Sequence, residues 1–178
     1  MKTLLHACCA PCSIECVNTL RKEELEPTLY WYNPNIHPFT EYRSRKETLV
    51  AYAQNNTLNY ILQDEYGLRP FLAEVMSSCE PRCVHCYEMR LEGTARYAAE
   101  HGYEQFSTTL LISPYQNHEL LRETGEKMAQ KYGVPFLYRD FRPYFREGQQ
   151  KAREMELYMQ KYCGCIFSEE ERYQKKKK

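Results

Sequence analysis

Seven of the nine cysteines in this 178-residue chain fall into three compact clusters: Cys8-Cys9-x-x-Cys12, Cys83-x-x-Cys86 and Cys163-Gly164-Cys165. A chain so built has to fold in a way that gives widely separated thiols a common purpose. Thiolates are soft ligands, and a C-x-x-C pair at the start of a helix can place two sulfurs on one metal centre. Gly164 lets the chain bend tightly, so that its flanking sulfurs can face the same centre or two neighbouring ones. Seven thiols exceed what one tetrahedral zinc can use. A [4Fe–4S] cluster takes four and leaves three to hold a second metal or to act as a redox dithiol, so counting favours iron–sulfur, with zinc still open. Cys16 and Cys79 lie outside the clusters and read as bystanders.

The surroundings of the clusters support this chemistry. Residues 1–2 lead straight into a strand, with no apolar signal segment, and no apolar run approaches the roughly 18 residues of a membrane span. We expect a cytoplasmic chain, where disulfides are rare and clustered cysteines serve metal or redox chemistry. Acidic and basic residues balance at 24 each, which leaves no global steering toward nucleic acid. Any RNA contact must come from a local patch. The 16 tyrosines supply core bulk as well as stacking faces. Neither G-x-G-x-x-G nor G-x-x-x-x-G-K-[ST] occurs, so a standard dinucleotide or phosphate cradle is missing and electrons must come from an external donor of ferredoxin or flavodoxin type.

Hydrophobic patterning predicts strands at 2–7, 27–32, 58–62, 106–112 and 136–138. It predicts helices from Ser13 to about residue 24 and at 39–55, 68–76, 83–101, 119–132 and 149–162. Strands alternating with helices predict one α/β domain over residues 1–173, a parallel sheet with helices on both faces of the HUP or Rossmann-like kind, and a basic tail at 174–178. Functional groups in such sheets gather beyond the carboxyl ends of the strands. Cys8, Cys9, Ser113 and Asp140 fall there. His6, two residues before Cys8, either orders the site or donates a proton, or is a packed histidine at the end of a core strand. Asp140 is either a hard oxygen ligand or acid, or a helix cap and partner of Arg139 or Arg142. Glu41 and Arg45, four apart on a helix, read as a surface pair.

The segments Leu4-Leu5-His6-Ala7-Cys8-Cys9-Ala10-Pro11-Cys12-Ser13, Tyr32-Asn33-Pro34-Asn35-Ile36-His37-Pro38, Arg82-Cys83-x-x-Cys86-Tyr87 with Arg90-Leu91, Thr108 to Tyr115, Asp140-Phe141-Arg142 and Tyr162-Cys163-Gly164-Cys165-Ile166-Phe167-Ser168 together resemble the cobalamin-independent epoxyqueuosine reductase family, in order and over nearly the whole chain. Two departures are visible: Glu80-Pro81-Arg82 where the family has a Glu-Gly-Gly run, and Met159 where arginine is usual. The resemblance implies two-electron deoxygenation of epoxyqueuosine to queuosine at the tRNA wobble position. It also implies a [4Fe–4S] cluster beside a second, mononuclear iron held by cysteine and aspartate, with Asp140 as the oxygen ligand. The substrate base would protrude from the anticodon loop. Unpaired bases are held by aromatic stacking and phosphates by arginine, which makes Tyr32, Tyr115 and Tyr144 stacking candidates and Arg139, Arg142 and Arg146 phosphate candidates, with Asn33 and Ser113 nearby. Three competing readings stay open: a zinc-stabilised RNA-binding module, an iron–sulfur tRNA sulfur-transfer enzyme, and a thiol–disulfide oxidoreductase.

Overall fold

Thr3-Leu4-Leu5-His6 has no residue in contact with solvent, as expected of a central parallel strand covered on both faces. In the computed structural model, which describes residues 1–174, this strand, β1 (Thr3–His6), pairs in parallel with β2 (Pro27–Trp31) on one side and β4 (Gln105–Thr108) on the other. β3 (Tyr60–Leu62) pairs with β2, giving the order β3-β2-β1-β4. The chain therefore turns outward in opposite directions from β1, and the carboxyl ends of β1 and β4 flank a topological switch point, where α/β sheets place their sites.

Among the described residues seven helices accompany these strands: α1 (Ala10–Lys22), α2 (Phe39–Asn55), α3 (Leu68–Ser77), α4 (Arg82–Glu100), α5 (His118–Tyr132), α6 (Phe145–Glu154) and α7 (Ile166–Tyr173). α1 packs against β2, α2 and α6, whereas α4 packs against β1, β4, α3 and α5, so each group of helices covers one side. The single α/β fold follows the sequence expectation. No described helix is long and apolar enough to cross a membrane. The expected tail at 174–178 lies, beyond Gln174, outside the described residues.

Several boundaries differ from the pattern-based expectation, each for a local reason. β4 stops at Thr108, and Thr109–Ile112 winds into a 3-10 turn because the Thr108 hydroxyl accepts the Leu110 N–H. Residues 136–138 contribute a single parallel bridge, Phe106 to Phe136, rather than a strand. α1 begins at Ala10 with Pro11 in its first turn, a position that proline's missing N–H suits. Ser13, the expected start, is therefore inside the helix, its hydroxyl donating to the Cys9 carbonyl at 2.8 Å. The helix expected at 149–162 is α6, ending at Glu154. Leu157 N–H closes back on Ala152 and Glu156 takes φ 55°, which releases the chain into an extended run toward Cys163. α7 was not foreseen.

The pair Glu41–Arg45 is also corrected: it is buried, not on the surface. Arg45 is 2% exposed, and its Nε donates to Glu41 Oε1 at 2.7 Å. Its two terminal nitrogens reach the carbonyls of Cys163 and Tyr162 at 2.8 and 2.9 Å, and Tyr158 donates to the other Glu41 oxygen. An (i, i+4) pair on α2 thus anchors the returning C-terminal segment. Arg45→Met should leave a buried carboxylate and two carbonyls unpaired, a loss of about 3 to 5 kcal/mol. A thermal melt is expected to drop by roughly 10 °C. A drop within a degree or two would show that the fork holds nothing.

Candidate metal centre

The loop between β1 and α1 carries the first thiols. Cys9 is the N-cap of α1, Cys12 lies in its first turn, and Cys8 ends the strand extension. The Cys8 N–H donates to Thr109 Oγ1 at 3.1 Å and that hydroxyl lies 3.3 Å from Cys8 Sγ, fastening the loop to the chain leaving β4. The sulfurs of Cys8, Cys9 and Cys12 all lie within 4.8 Å of one another, and Cys8 and Cys9 are 3.8 Å apart. Thiolates bound at about 2.3 Å to one tetrahedral ion stand about 3.8 Å apart, so this buried trio has the spacing of ligands to a single metal with a fourth position to fill. Hydrogen bonding from Cys12 and then Cys9 holds the Cys8 thiol well below its usual range. Burial pushes Cys9 up, and the bond to Cys8 pushes Cys12 up. A metal ion binding there would displace the protons that these thiols hold.

The other four thiols form a second neighbourhood. Cys83 and Cys86 share one face of the first turn of α4, and Cys165 is the N-cap of α7, two residues after Cys163. Burial raises Cys83, with the charge of Cys163 next in weight. Burial raises Cys86 to about 12, with Arg90 opposing and Cys163, Cys165 and Cys83 adding to the rise. Three helix N-termini, those of α1, α4 and α7, thus carry cysteines, where the macrodipole favours thiolate. A side-chain amide meets each group: Gln160 Nε2 lies 2.9 Å from Cys9 Sγ, Asn35 Nδ2 3.0 Å from Cys86 Sγ and Gln116 Nε2 3.2 Å from Cys163 Sγ.

The turn at Cys163-Gly164-Cys165 is held closely. His37 N–H donates to the Gly164 carbonyl at 2.8 Å, His37 Nδ1 accepts the Ile166 N–H at 3.1 Å, and the Tyr162 hydroxyl donates to the His37 carbonyl. A Cβ on Gly164 would stand 3.3 Å from Ile36, 3.5 Å from Arg45 and 3.7 Å from Arg90, so the turn's backbone approaches two guanidiniums. His37 shows no informative spacing in sequence. Its role comes from the meeting of the 33–38 turn with residues 162–166.

His6 is wholly buried. Its Nε2 faces the Tyr32 carbonyl and Asn33 Oδ1 at 3.2 and 3.0 Å, and Nδ1 meets the Thr108 hydroxyl at 2.9 Å. Two oxygen acceptors at Nε2 assign the proton there. Burial, then Arg90, push its pKa down to about 4, so it is a neutral ring whose two nitrogens tie β1 to β4 and to the 32–33 turn. Asn33 completes the tie by donating to the Ala7 carbonyl at 2.9 Å. Asp140 accepts from Arg142 at 2.8 and 2.6 Å and caps the Arg142 N–H at 3.1 Å, so its carboxylate rests on that guanidinium. Arg139 is engaged with Glu23.

A cleft of about 1040 Å3 opens over the thiols, with Cys8, Cys12 and Cys163 in its lining. Ser113, Tyr115 and Arg146 border it, whereas Tyr32 borders a separate small depression with Gly93 and Arg96. Tyr115 is 86% exposed, a free stacking face. Sequence reasoning passed over Arg153, Lys161 and Arg172, which also line the cleft. α6 sets Arg146, Gln149, Gln150 and Arg153 at helical spacing along one wall. The lining contains no carboxylate, and among the described residues Arg146, Arg153, Lys161 and Arg172 make no ion pair. The cleft therefore presents unneutralised cations beside a stacking ring. Of the two departures noted in the sequence, Pro81 sits at the N-cap of α4 with Arg82 paired to Glu171, and Met159 packs partly buried against the core.

The family model described as epoxyqueuosine reductase QueH matches residues 3–171. A protein of Dehalococcoides mccartyi named epoxyqueuosine reductase QueH is 39% identical over 174 residues, covering 98% of this chain and 96% of its own length. Proteins of the same name from Thermotoga maritima and Haemophilus influenzae are each 36% identical, covering 97% and 94% of this chain and 92% and 71% of their own. With the family pattern matched across the sheet, both thiol groups and the C-terminal turn, the chain belongs to the epoxyqueuosine reductase QueH family.

Proposed function

We propose that this chain reduces epoxyqueuosine to queuosine in tRNA, with the thiols of Cys83, Cys86, Cys163 and Cys165 holding a [4Fe–4S] cluster and those of Cys8, Cys9 and Cys12 holding a second, single iron. The observation that carries this is the division of seven thiols into a close trio and a wider quartet beneath one cationic cleft. Four thiolates suit a cubane cluster, whose ligands bind different irons and so stand farther apart than ligands of one ion. The reaction removes the epoxide oxygen as water and leaves an alkene, taking up two electrons and two protons. When bound, the cluster and the single iron would supply the electrons and the Lewis acid for loss of that oxygen.

The chain's own residues do the rest. Tyr115 offers a stacking face for a base splayed out of the anticodon loop, and Ser113 a hydroxyl at the cleft wall. Arg146, Arg153, Lys161 and Arg172 neutralise loop phosphates, which explains how a chain of zero net charge can take an RNA substrate. His6 and Asn33 hold the Cys8 loop in place. Asp140 is the carboxylate we assign as fourth donor at the trio, a role that requires it to leave Arg142. The electron donor we assign is a ferredoxin or flavodoxin, and the substrate places the reaction in the cytoplasm. Zinc at one site per chain would fit the trio alone and leave the quartet unused.

Protein purified anaerobically should be brown, absorb broadly near roughly 400 nm and carry at least about four irons per chain. Colourless protein holding only zinc after anaerobic iron and sulfide reconstitution would sink the cluster assignment. With the division above, Cys163→Ser should lose the cluster spectrum, whereas Cys9→Ser should keep it and lose about one iron.

Charge reversal at Arg153 should weaken tRNA binding about tenfold or more at moderate salt and reduce the slope of log K against log salt by about one. Filter binding across a salt series reads both, and an unchanged slope would move the RNA off α6.

Asp140→Asn keeps the capping geometry but is a poor anionic donor. It should leave the cluster spectrum intact while losing turnover and about one iron. Near-normal turnover would return Asp140 to a cap and partner for Arg142.

A further inference from the structure

Arg90 on α4 is 1% exposed, and its surroundings are unusual for a guanidinium. Nε donates to Asn35 Oδ1 at 2.6 Å, and both terminal nitrogens are buried with no hydrogen-bond partner among the described residues. Among the described residues no carboxylate pairs with it. A buried unpaired charge costs several kcal/mol, so a counter-charge must face it. The groups on that side are thiols, which become anions once a metal centre displaces their protons. Burial opposes the charge of Arg90, and Cys86, Cys163, Cys8 and Cys165 outweigh burial, holding it above the usual guanidinium value. Its link to the quartet is also structural: Asn35, which accepts from Arg90, donates through its other atom to Cys86 Sγ, and the backbone at Gly164 comes close to an Arg90 terminal nitrogen.

We infer that Arg90 is the fixed counter-charge of the quartet, and that it raises the reduction potential of the cluster so that the donor can fill it. This rests on the cluster assignment made above. A cubane core of charge 2+ with four thiolates is an anion of charge 2−, and one-electron reduction makes it 3−. A cation that cannot lose its proton, held in a dry site, favours the more negative state. The net charge around a cluster and the hydrogen bonds to its sulfurs are the levers that set its potential. Arg90 supplies the first, and its unpartnered N–H groups are available for the second. In this role Arg90 is a positioning and tuning residue; it does not touch the substrate.

The test is a redox titration of the reconstituted protein, followed by visible absorption and electron paramagnetic resonance. Arg90→Gln should shift the one-electron reduction equilibrium at least tenfold toward the oxidised state, about 59 mV for one electron. Arg90→Lys keeps the charge and should stay within about threefold of wild type. An unchanged potential in Arg90→Gln, or an equal shift in both variants, would overturn the inference, since a packing role predicts no dependence on charge. If Arg90→Gln fails to retain the cluster, Arg90→Lys decides: a cluster retained near the wild-type potential supports the counter-charge, and a lost or shifted cluster refutes it. Wild-type protein that takes up no cluster would defeat the assignment itself, whereas a wild-type cluster indifferent to charge at position 90 would defeat this inference alone.

Discussion

The fork of Arg45 holds the two ends of the site together. One guanidinium, buried on α2, spends Nε on Glu41 and its terminal nitrogens on the carbonyls of Tyr162 and Cys163. Those carbonyls belong to a stretch with no regular secondary structure between α6 and α7, so nothing in the ladder of the sheet would place them. Lysine could not substitute, because a point donor on a flexible stem cannot satisfy a carboxylate and two carbonyls in one plane. With the fork in place, the C-terminal turn lies over the 33–38 segment, His37 binds it from beneath, and the third cysteine cluster reaches the other two.

Around that clamp the site follows the logic of an open parallel sheet. β1 delivers Cys8 and Cys9 at its carboxyl end, and β4 delivers Thr109 beside them, because the two strands are neighbours that part at the switch point. His6 and Thr108 face each other at the ends of those strands and fix the loop register. Thiols are then laid at the N-termini of three helices, where the helix dipoles favour anionic sulfur.

Two electrostatic environments coexist within one cleft. The floor holds thiols, the buried guanidinium of Arg45 and the amide donors of Gln116 and Gln160, a setting that favours anionic sulfur. The wall of α6 and the residues near 161 and 172 carry exposed cations without partners, a setting that favours phosphate. The net charge of zero conceals both, since the compensating acids lie elsewhere, for example Glu74, Glu88 and Glu92 around the small depression on α3 and α4.

Local chemistry was legible in the sequence wherever neighbours along the chain carry it. The apolar runs of β1 and β2, the glycine stop of α5 at Gly133 and the spacing of the three cysteine clusters all depend on a few consecutive residues. So the α/β class, the four strands of the sheet and the thiols as candidate ligands could be read directly. Boundaries failed where one side chain overrode periodicity, as the Thr108 hydroxyl did by turning 109–112 out of the strand. What spacing along the chain could not convey was which distant groups meet. The division of seven thiols into trio and quartet, the burial of the Glu41–Arg45 pair and the isolation of Arg90 join residues 50 to 130 positions apart. Such pairings have no sequence period, because they are fixed by the close packing of separate elements around one sheet and by the need of each buried charge to find its partner there.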